Sequence, residues 1–178
     1  AQLFGMASRG RMLWDFQKLR ILTFINPLLD PRGAGYNAIQ SMIAVGSGKL
    51  FGRGFGRGTQ SLLQFLPERH TDFIFATFTE EFGFLGALIL LAAFFFLLLQ
   101  IIKLGSSRDS QTLAFLYISG FFMLLLTHVV INIGMNIGVL PITGITLPFV
   151  SAGGSSLISL FIGLGICMSA SQKQRDYD

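Results

Sequence analysis

Charge is what this sequence has least of. Only 12% of its 178 residues are charged, about half the ~25% of an ordinary soluble protein. From Ser110 to Gln172 there is no Lys, Arg, Asp or Glu at all, and most of the stretch is Leu, Ile, Phe, Val, Gly and Met. A second charge-free run extends from Phe82 to Ile102, about 31 Å of helix and one hydrocarbon thickness. A charge at the bilayer centre costs roughly 2.5–3.5 kcal/mol on insertion scales, so such runs belong in lipid. The deficit excludes a soluble domain and points to an all-α integral membrane chain.

Cysteine is nearly absent as well. The single Cys167 excludes an internal disulfide and a zinc cluster, and a thiol inside an apolar run is usually an inert small hydrophobe. No signal-peptide pattern opens the chain, and its abrupt start at Ala1 reads as a piece of a longer protein.

The charges that are present are concentrated. Residues 1–72 hold nine of the thirteen Lys and Arg against four acids, nine minus four giving a net +5 beside an apolar block. A basic segment next to lipid points to anionic headgroups or a phosphate-bearing lipid rather than to nucleic acid.

Along the chain, residues 13–29 mingle apolar side chains with Asp15, Lys18, Arg20, Trp14 and Phe16, the pattern of an amphipathic interfacial helix. Pro27 and then Asp30-Pro31-Arg32-Gly33 stop it. Tyr36 to Val45 fits a short helix or a re-entrant segment, too short to span. A glycine-rich loop, GSGKLFGRGFGRG, covers Gly46 to Gly58, and a long helical run starts at Phe73. About three spans are expected, over 82–102, 112–132 and 152–171. Between the last two, Asn132, Asn136, Pro141, Gly144, Pro148, Gly153 and Gly154 interrupt the apolar pattern, which predicts a broken or re-entrant element facing a cavity.

The basic turn 103–109 and the C-terminal tail fall on one side, which the positive-inside rule makes cytoplasmic. Residues 1–72 are then external, as one large loop with short amphipathic helices. Residues 73–178 form a three-span membrane region with a short cytoplasmic tail.

Two places could carry chemistry. In the glycine-rich loop, backbone N–H groups and the cations Lys49, Arg53 and Arg57 could cradle a diphosphate; equally, the loop fits a flexible surface segment whose cations meet headgroups. The second place is Pro67-Glu68-Arg69-His70-Thr71-Asp72-Phe73. There Asp72 is either a general base at the lipid boundary or a helix N-cap. His70 fits a proton shuttle or a packing residue. Glu80 and Glu81 face either a cavity or the interfacial rim, and His128 fits an interhelical hydrogen bonder.

Three segments, GAGYNAIQSMIAVGSGKLFGRGFGRGTQS, LPERHTDFIFATFTEEFG and NIGMNIGVLPITGITLPFVSAGGSS, occur in this order. With them the chain, over roughly residues 14–172, resembles the C-terminal part of the SEDS family (shape, elongation, division and sporulation; RodA, FtsW and SpoVE). GTQS and LPERHTDFIF look closer to the RodA branch. The resemblance implies a fragment of a bundle of about ten helices in the bacterial plasma membrane. It also implies a glycosyltransferase that polymerises lipid II into glycan strands outside the membrane during elongation, beside a class B penicillin-binding transpeptidase. It puts the family's essential aspartate at Asp72.

In that chemistry Asp72 takes the proton of the acceptor sugar's 4-hydroxyl, and undecaprenyl diphosphate leaves. Lys49, Arg53, Arg57, Arg69 or a bound divalent cation (Mg or Mn) would balance the leaving charge, with Glu68, His70, Glu80 and Glu81 nearby as substrate-binding candidates. A lipid II flippase, a division-specific role and a recruiting scaffold are the competing readings. Two departures from the family pattern stand out: Lys49 where a glycine is common, and Ala152 where a tyrosine usually precedes Gly-Gly-Ser-Ser.

Overall fold

The computed structural model describes residues 33–58, 70–105 and 112–175, with positions 20, 22–24, 26 and 30 besides. Four longer helices follow one another: α1 (Ala34–Ser47), α2 (Ile74–Gly105), α3 (Thr112–Asn136) and α4 (Gly154–Arg175), and no strand occurs among the described residues. The interfacial helix expected over 13–29, together with Glu68 and Arg69, falls largely or wholly outside them.

α2 and α3 are long and apolar enough to cross a membrane. At 1.5 Å per residue α3 measures about 37 Å, and α2 about 33 Å from Gly83 to Gly105. The apolar part of α4, Gly154–Ala170, is shorter, about 25 Å, so the third expected span is present as a helix but not at full apolar length. Large apolar side chains stay exposed on all three, among them Phe84, Ile89, Phe95, Phe96, Leu116, Met123, Phe161 and Ile162. Water does not tolerate that much contiguous apolar surface; lipid requires it.

The helices meet through two apolar cores. Ile101, Ile118, Phe121, Leu125, Leu160 and Cys167 form one toward the α2–α3 connection. Phe75, Ala87, Phe94, Val129 and Leu147 form the other, toward the start of α2. Cys167 is fully buried there, as a small hydrophobe would be.

Residues 34–47 form a helix of 14 residues. Asp30 starts it: its Oδ2 accepts the Ala34 N–H at 2.9 Å and its carbonyl accepts the Tyr36 N–H at 3.2 Å, satisfying donors that a first turn leaves orphaned. Buried Ser41 and Ala44, three residues apart, share one thin face, and α1 packs against α2 and α3.

α2 is not continuous. Gly83 has φ 71° and ψ −168°, an extended left-handed-side conformation open to glycine alone. Such a break would orphan two N–H groups and two carbonyls. The glycine-rich loop supplies all four partners. Phe84 and Leu85 donate to the carbonyls of Lys49 and Leu50 at 2.8 and 3.1 Å, while Arg53 and Gly54 donate to the carbonyls of Glu80 and Glu81, each at 3.0 Å. A Cβ on Gly52 would overlap the Glu81 carbonyl, and one on Gly83 would overlap the Gly52 nitrogen. The two glycines are there so that two backbones can touch.

Candidate active site around Asp72

Asp72 lies just before α2, two residues ahead of Ile74 and so one residue outside the N-cap position. The backbone around it is pinned from the far end of the chain. The His70 carbonyl accepts the Ala152 N–H at 2.9 Å. The Thr71 carbonyl accepts the Ser151 hydroxyl at 2.7 Å, and Ser151 Oγ in turn accepts the Leu147 N–H at 2.8 Å. The Asp72 carbonyl accepts from Asn132 Nδ2 at 2.9 Å and Asn136 Nδ2 at 3.2 Å. Three successive carbonyls are held by four different residues.

Both asparagines are fully buried, and each is multiply bonded. Asn132 Nδ2 also donates to the Ile145 carbonyl at 2.7 Å. Asn136 Nδ2 donates to the Asn132 carbonyl at 2.8 Å, and its Oδ1 accepts the Ala76 N–H at 3.3 Å. The Asn136 carbonyl accepts the Ser41 hydroxyl at 2.7 Å, which ties α1 into the same network. Buried amides with every bond made fix one geometry, because any other leaves unpaired groups.

With its main chain fixed, Asp72 projects a half-buried side chain toward the non-helical segment between α3 and α4. A Cβ on Gly144, which has φ 75°, would stand 3.5 Å from Asp72 Oδ2. That segment is the broken element the sequence predicted: residues 141–147 carry no regular structure, yet Leu147 and Pro148 are buried.

The other candidates divide into groups. His70 is exposed beside Asp72 and Glu81 is half-buried, whereas Glu80 is fully buried. Lys49, Arg53 and Arg57 have exposed side chains on the loop bound to the Gly83 break. The loop amides of Arg53, Gly54 and Gly56 bond to the Glu80 carbonyl, the Glu81 carbonyl and Glu81 Oε1. These three are therefore turned into the chain, while the side-chain charges of Lys49, Arg53 and Arg57 stay exposed. Among the described residues no three His, Cys, Asp or Glu side chains converge as a metal ligand set. His128 lines a groove of about 590 Å³ between α3 and α4, with Tyr117, Thr146, Ser156 and Ser159.

Helix rise gives the relative levels. Gly105 approaches Ile118, so these positions mark one level; Asn132 and Asn136 lie about 21 and 27 Å from it along α3, and Gly83 about 33 Å along α2. Asp72 and the loop cations thus share one end of the bundle, with the carboxylate slightly deeper. Sequence reasoning flagged Asn132, Asn136 and Gly144 only as breaks in an apolar pattern. Ser151 and the Ala152 N–H carried no signal, since their role depends on a contact about eighty residues away.

Comparisons with known proteins bear on the family and the fold. The FtsW/RodA/SpoVE family model, described as a cell cycle protein, matches residues 5–176. The peptidoglycan glycosyltransferase MrdB of Escherichia coli is 48% identical over 158 residues, covering 89% of this chain and 42% of that protein. The peptidoglycan glycosyltransferase RodA of Treponema pallidum is 43% identical over 98% of this chain and 39% of its own length. Stage V sporulation protein E of Bacillus subtilis is 42% identical over 88% of this chain. A solved chain described under "Structural coordination of polymerization and crosslinking by a peptidoglycan synthase complex" superposes with a TM-score of 0.67 at 34% identity, over 88% of this chain and 42% of that one. The chain spans about two fifths of the length of the curated relatives it matches. On both sequence and structure, it belongs to the FtsW/RodA/SpoVE family of membrane-embedded cell cycle proteins.

Proposed function

We propose that this chain carries the catalytic end of a peptidoglycan glycosyltransferase that polymerises lipid II during cell elongation, with Asp72 as general base. Asp72 accepts the proton of the acceptor's 4-hydroxyl, the freed oxygen attacks the anomeric carbon of the donor, and undecaprenyl diphosphate departs with the bonding pair. The observation that carries the reading is the clamp on residues 70–72, three carbonyls fixed by Ala152, Ser151 and the Asn132–Asn136 pair. A base held in one position contributes about 10²–10⁴-fold, and a fixed backbone avoids the reorganisation that erodes such a gain.

Lys49, Arg53 and Arg57, at the same end of the bundle, are suited to the charge that develops on the diphosphate. Arg69, Glu68, His70 and Glu81 are the remaining candidates for substrate contact. A membrane setting, residues 1–72 outside, a cytoplasmic C-terminus and a penicillin-binding transpeptidase as partner complete the proposal. They are supported by the charge asymmetry of the loops and by the kind of complex in which the structural neighbour occurs.

The test is Asp72→Asn and Asp72→Ala in the longer protein, supplied with lipid II. Loss of glycan strands with lipid II still bound supports the base. Undiminished polymerisation overturns it. Lipid II transport that survives with no polymerisation in the unmodified protein would instead favour the flippase.

A further inference from the structure

The glycine-rich loop has a face that the transferase reading does not use. Phe51 and Phe55 are 81% and 82% exposed and Leu50 63%, although the backbone beneath them is bonded at five points to α2. Solvent would not favour three large apolar side chains on a rigid tip. The surface continues without interruption: Phe55 meets the ring of Phe82 at 6.2 Å, Phe82 meets Phe78 at 4.7 Å, and Phe84, Leu85, Leu88 and Ile89 carry the exposed apolar strip down α2.

Depth and charge identify the occupant. From Gly105 to Gly83 α2 measures about 33 Å, one hydrocarbon thickness, so the loop is fixed where the acyl region ends. Lys49, Arg53 and Arg57 are exposed between the apolar side chains. Aromatic and aliphatic groups reaching inward with Lys and Arg reaching outward is the composition of an element that lies in the headgroup boundary.

We infer that the loop tip is an interfacial anchor: Leu50, Phe51 and Phe55 enter the leaflet at the Gly83 end of α2, and Lys49, Arg53 and Arg57 meet its anionic phosphates. The exchange of backbone bonds at Gly83 makes the anchor rigid, so it sets the depth of the first turns of α2, and with them the level of Asp72. The inference does not depend on the transferase reading.

The experiment uses the longer protein in vesicles of phosphatidylcholine and phosphatidylglycerol. Trp14 is the sole tryptophan of this chain, so Phe51→Trp and Phe55→Trp are each made in a background with Trp14→Phe and any further tryptophans replaced, with Phe96→Trp on the exposed face of α2 as a control for correct insertion. The expected result is that bromines about 5–10 Å below the phosphates quench the indole in the Phe51→Trp and Phe55→Trp variants severalfold more than bromines near the bilayer centre. The Phe96→Trp control should show the reverse order. Replacing Lys49, Arg53 and Arg57 by Gln should reduce the shallow quenching and remove its dependence on phosphatidylglycerol. Quenching by acrylamide alone would place the tip in water, and protection from both quenchers would mean that protein covers it. Either result overturns the anchor; if one tryptophan variant fails to insert, the other decides.

Discussion

The side-chain amide of Asn132 donates to the Asp72 carbonyl at 2.9 Å and to the Ile145 carbonyl at 2.7 Å. One buried group thus joins the segment bearing the candidate base to the broken segment that faces it. Asn132→Asp keeps the volume and removes both donors. The Ile145 carbonyl loses this donor, at about 1–3 kcal/mol, and the Asp72 carbonyl keeps only the longer bond from Asn136 at 3.2 Å; a displacement of about 1 Å at the base costs about 10²-fold in rate. The expected outcome is a lower unfolding temperature in detergent together with a loss of lipid II polymerisation well beyond the loss of folded protein. Full activity in a folded Asn132→Asp protein would show that the clamp does not position Asp72.

A graded glycine series tests the exchange at the α2 break. Gly46 is helical with open space around it, so Gly46→Ala should be neutral or stabilise by about 0.5–1 kcal/mol. Gly56 has φ 68° and nothing within 4 Å, so Gly56→Ala bears only the left-handed penalty of about 1–2 kcal/mol. Gly52→Ala adds a collision with the Glu81 carbonyl and should lower stability most. Thermal unfolding of the three variants reads the order directly; equal losses at positions 52 and 56 would refute the close-approach account.

How much of this was legible beforehand depends on the range over which each signal acts. The spans showed because lipid acts on every residue of a run, and the charge-free stretches at 82–102 and 112–132 lie inside α2 and α3. The Gly83 break was invisible because a lone glycine in an apolar run is common; what makes it a break is a loop about thirty residues upstream. That loop's glycines suggested a phosphate nest, but the same conformational freedom serves close approach of one backbone to another, and only the partner tells them apart. Asn132 and Asn136 stood out as polar residues in an apolar run, but nothing in the sequence names the Asp72 carbonyl as their acceptor.

Glu80 and Glu81 are adjacent in sequence and differ in setting. Glu80 is fully buried, while Glu81 is half-buried and accepts the Gly56 N–H at 3.2 Å near the surface. Removing a buried polar group leaves its surroundings unsatisfied, for about 1–3 kcal/mol, whereas an exposed bond contributes about 1 kcal/mol or less. Glu80→Ala is therefore expected to destabilise clearly more than Glu81→Ala in chemical unfolding. The reverse order would mean that Glu80 is not part of the folded core.

Lys49 separates a structural from a functional role by sign. Its φ is 49°, in the left-handed region that disfavours a side chain by roughly 1–2 kcal/mol, so Lys49→Gly should raise the unfolding temperature. If the ammonium group also holds a lipid phosphate, the stabilised variant should bind lipid II more weakly. Stability and affinity then move in opposite directions, which a simple loss of structure cannot produce. A gain in stability with unchanged affinity removes Lys49 from the substrate site.

Ala152 offers the sharpest contrast, because only its main chain is engaged. Its N–H donates to the His70 carbonyl at 2.9 Å while its side chain is exposed. A larger side chain therefore has room, and Ala152→Tyr should leave both folding and polymerisation near their original levels. Ala152→Pro removes the donor and orphans the carbonyl two residues before Asp72, a loss of about 1–3 kcal/mol. Polymerisation should fall with proline and persist with tyrosine, measured on matched amounts of folded protein. If tyrosine abolishes activity as fully as proline, the side chain at this position matters and the backbone bond is not the reason the residue is there.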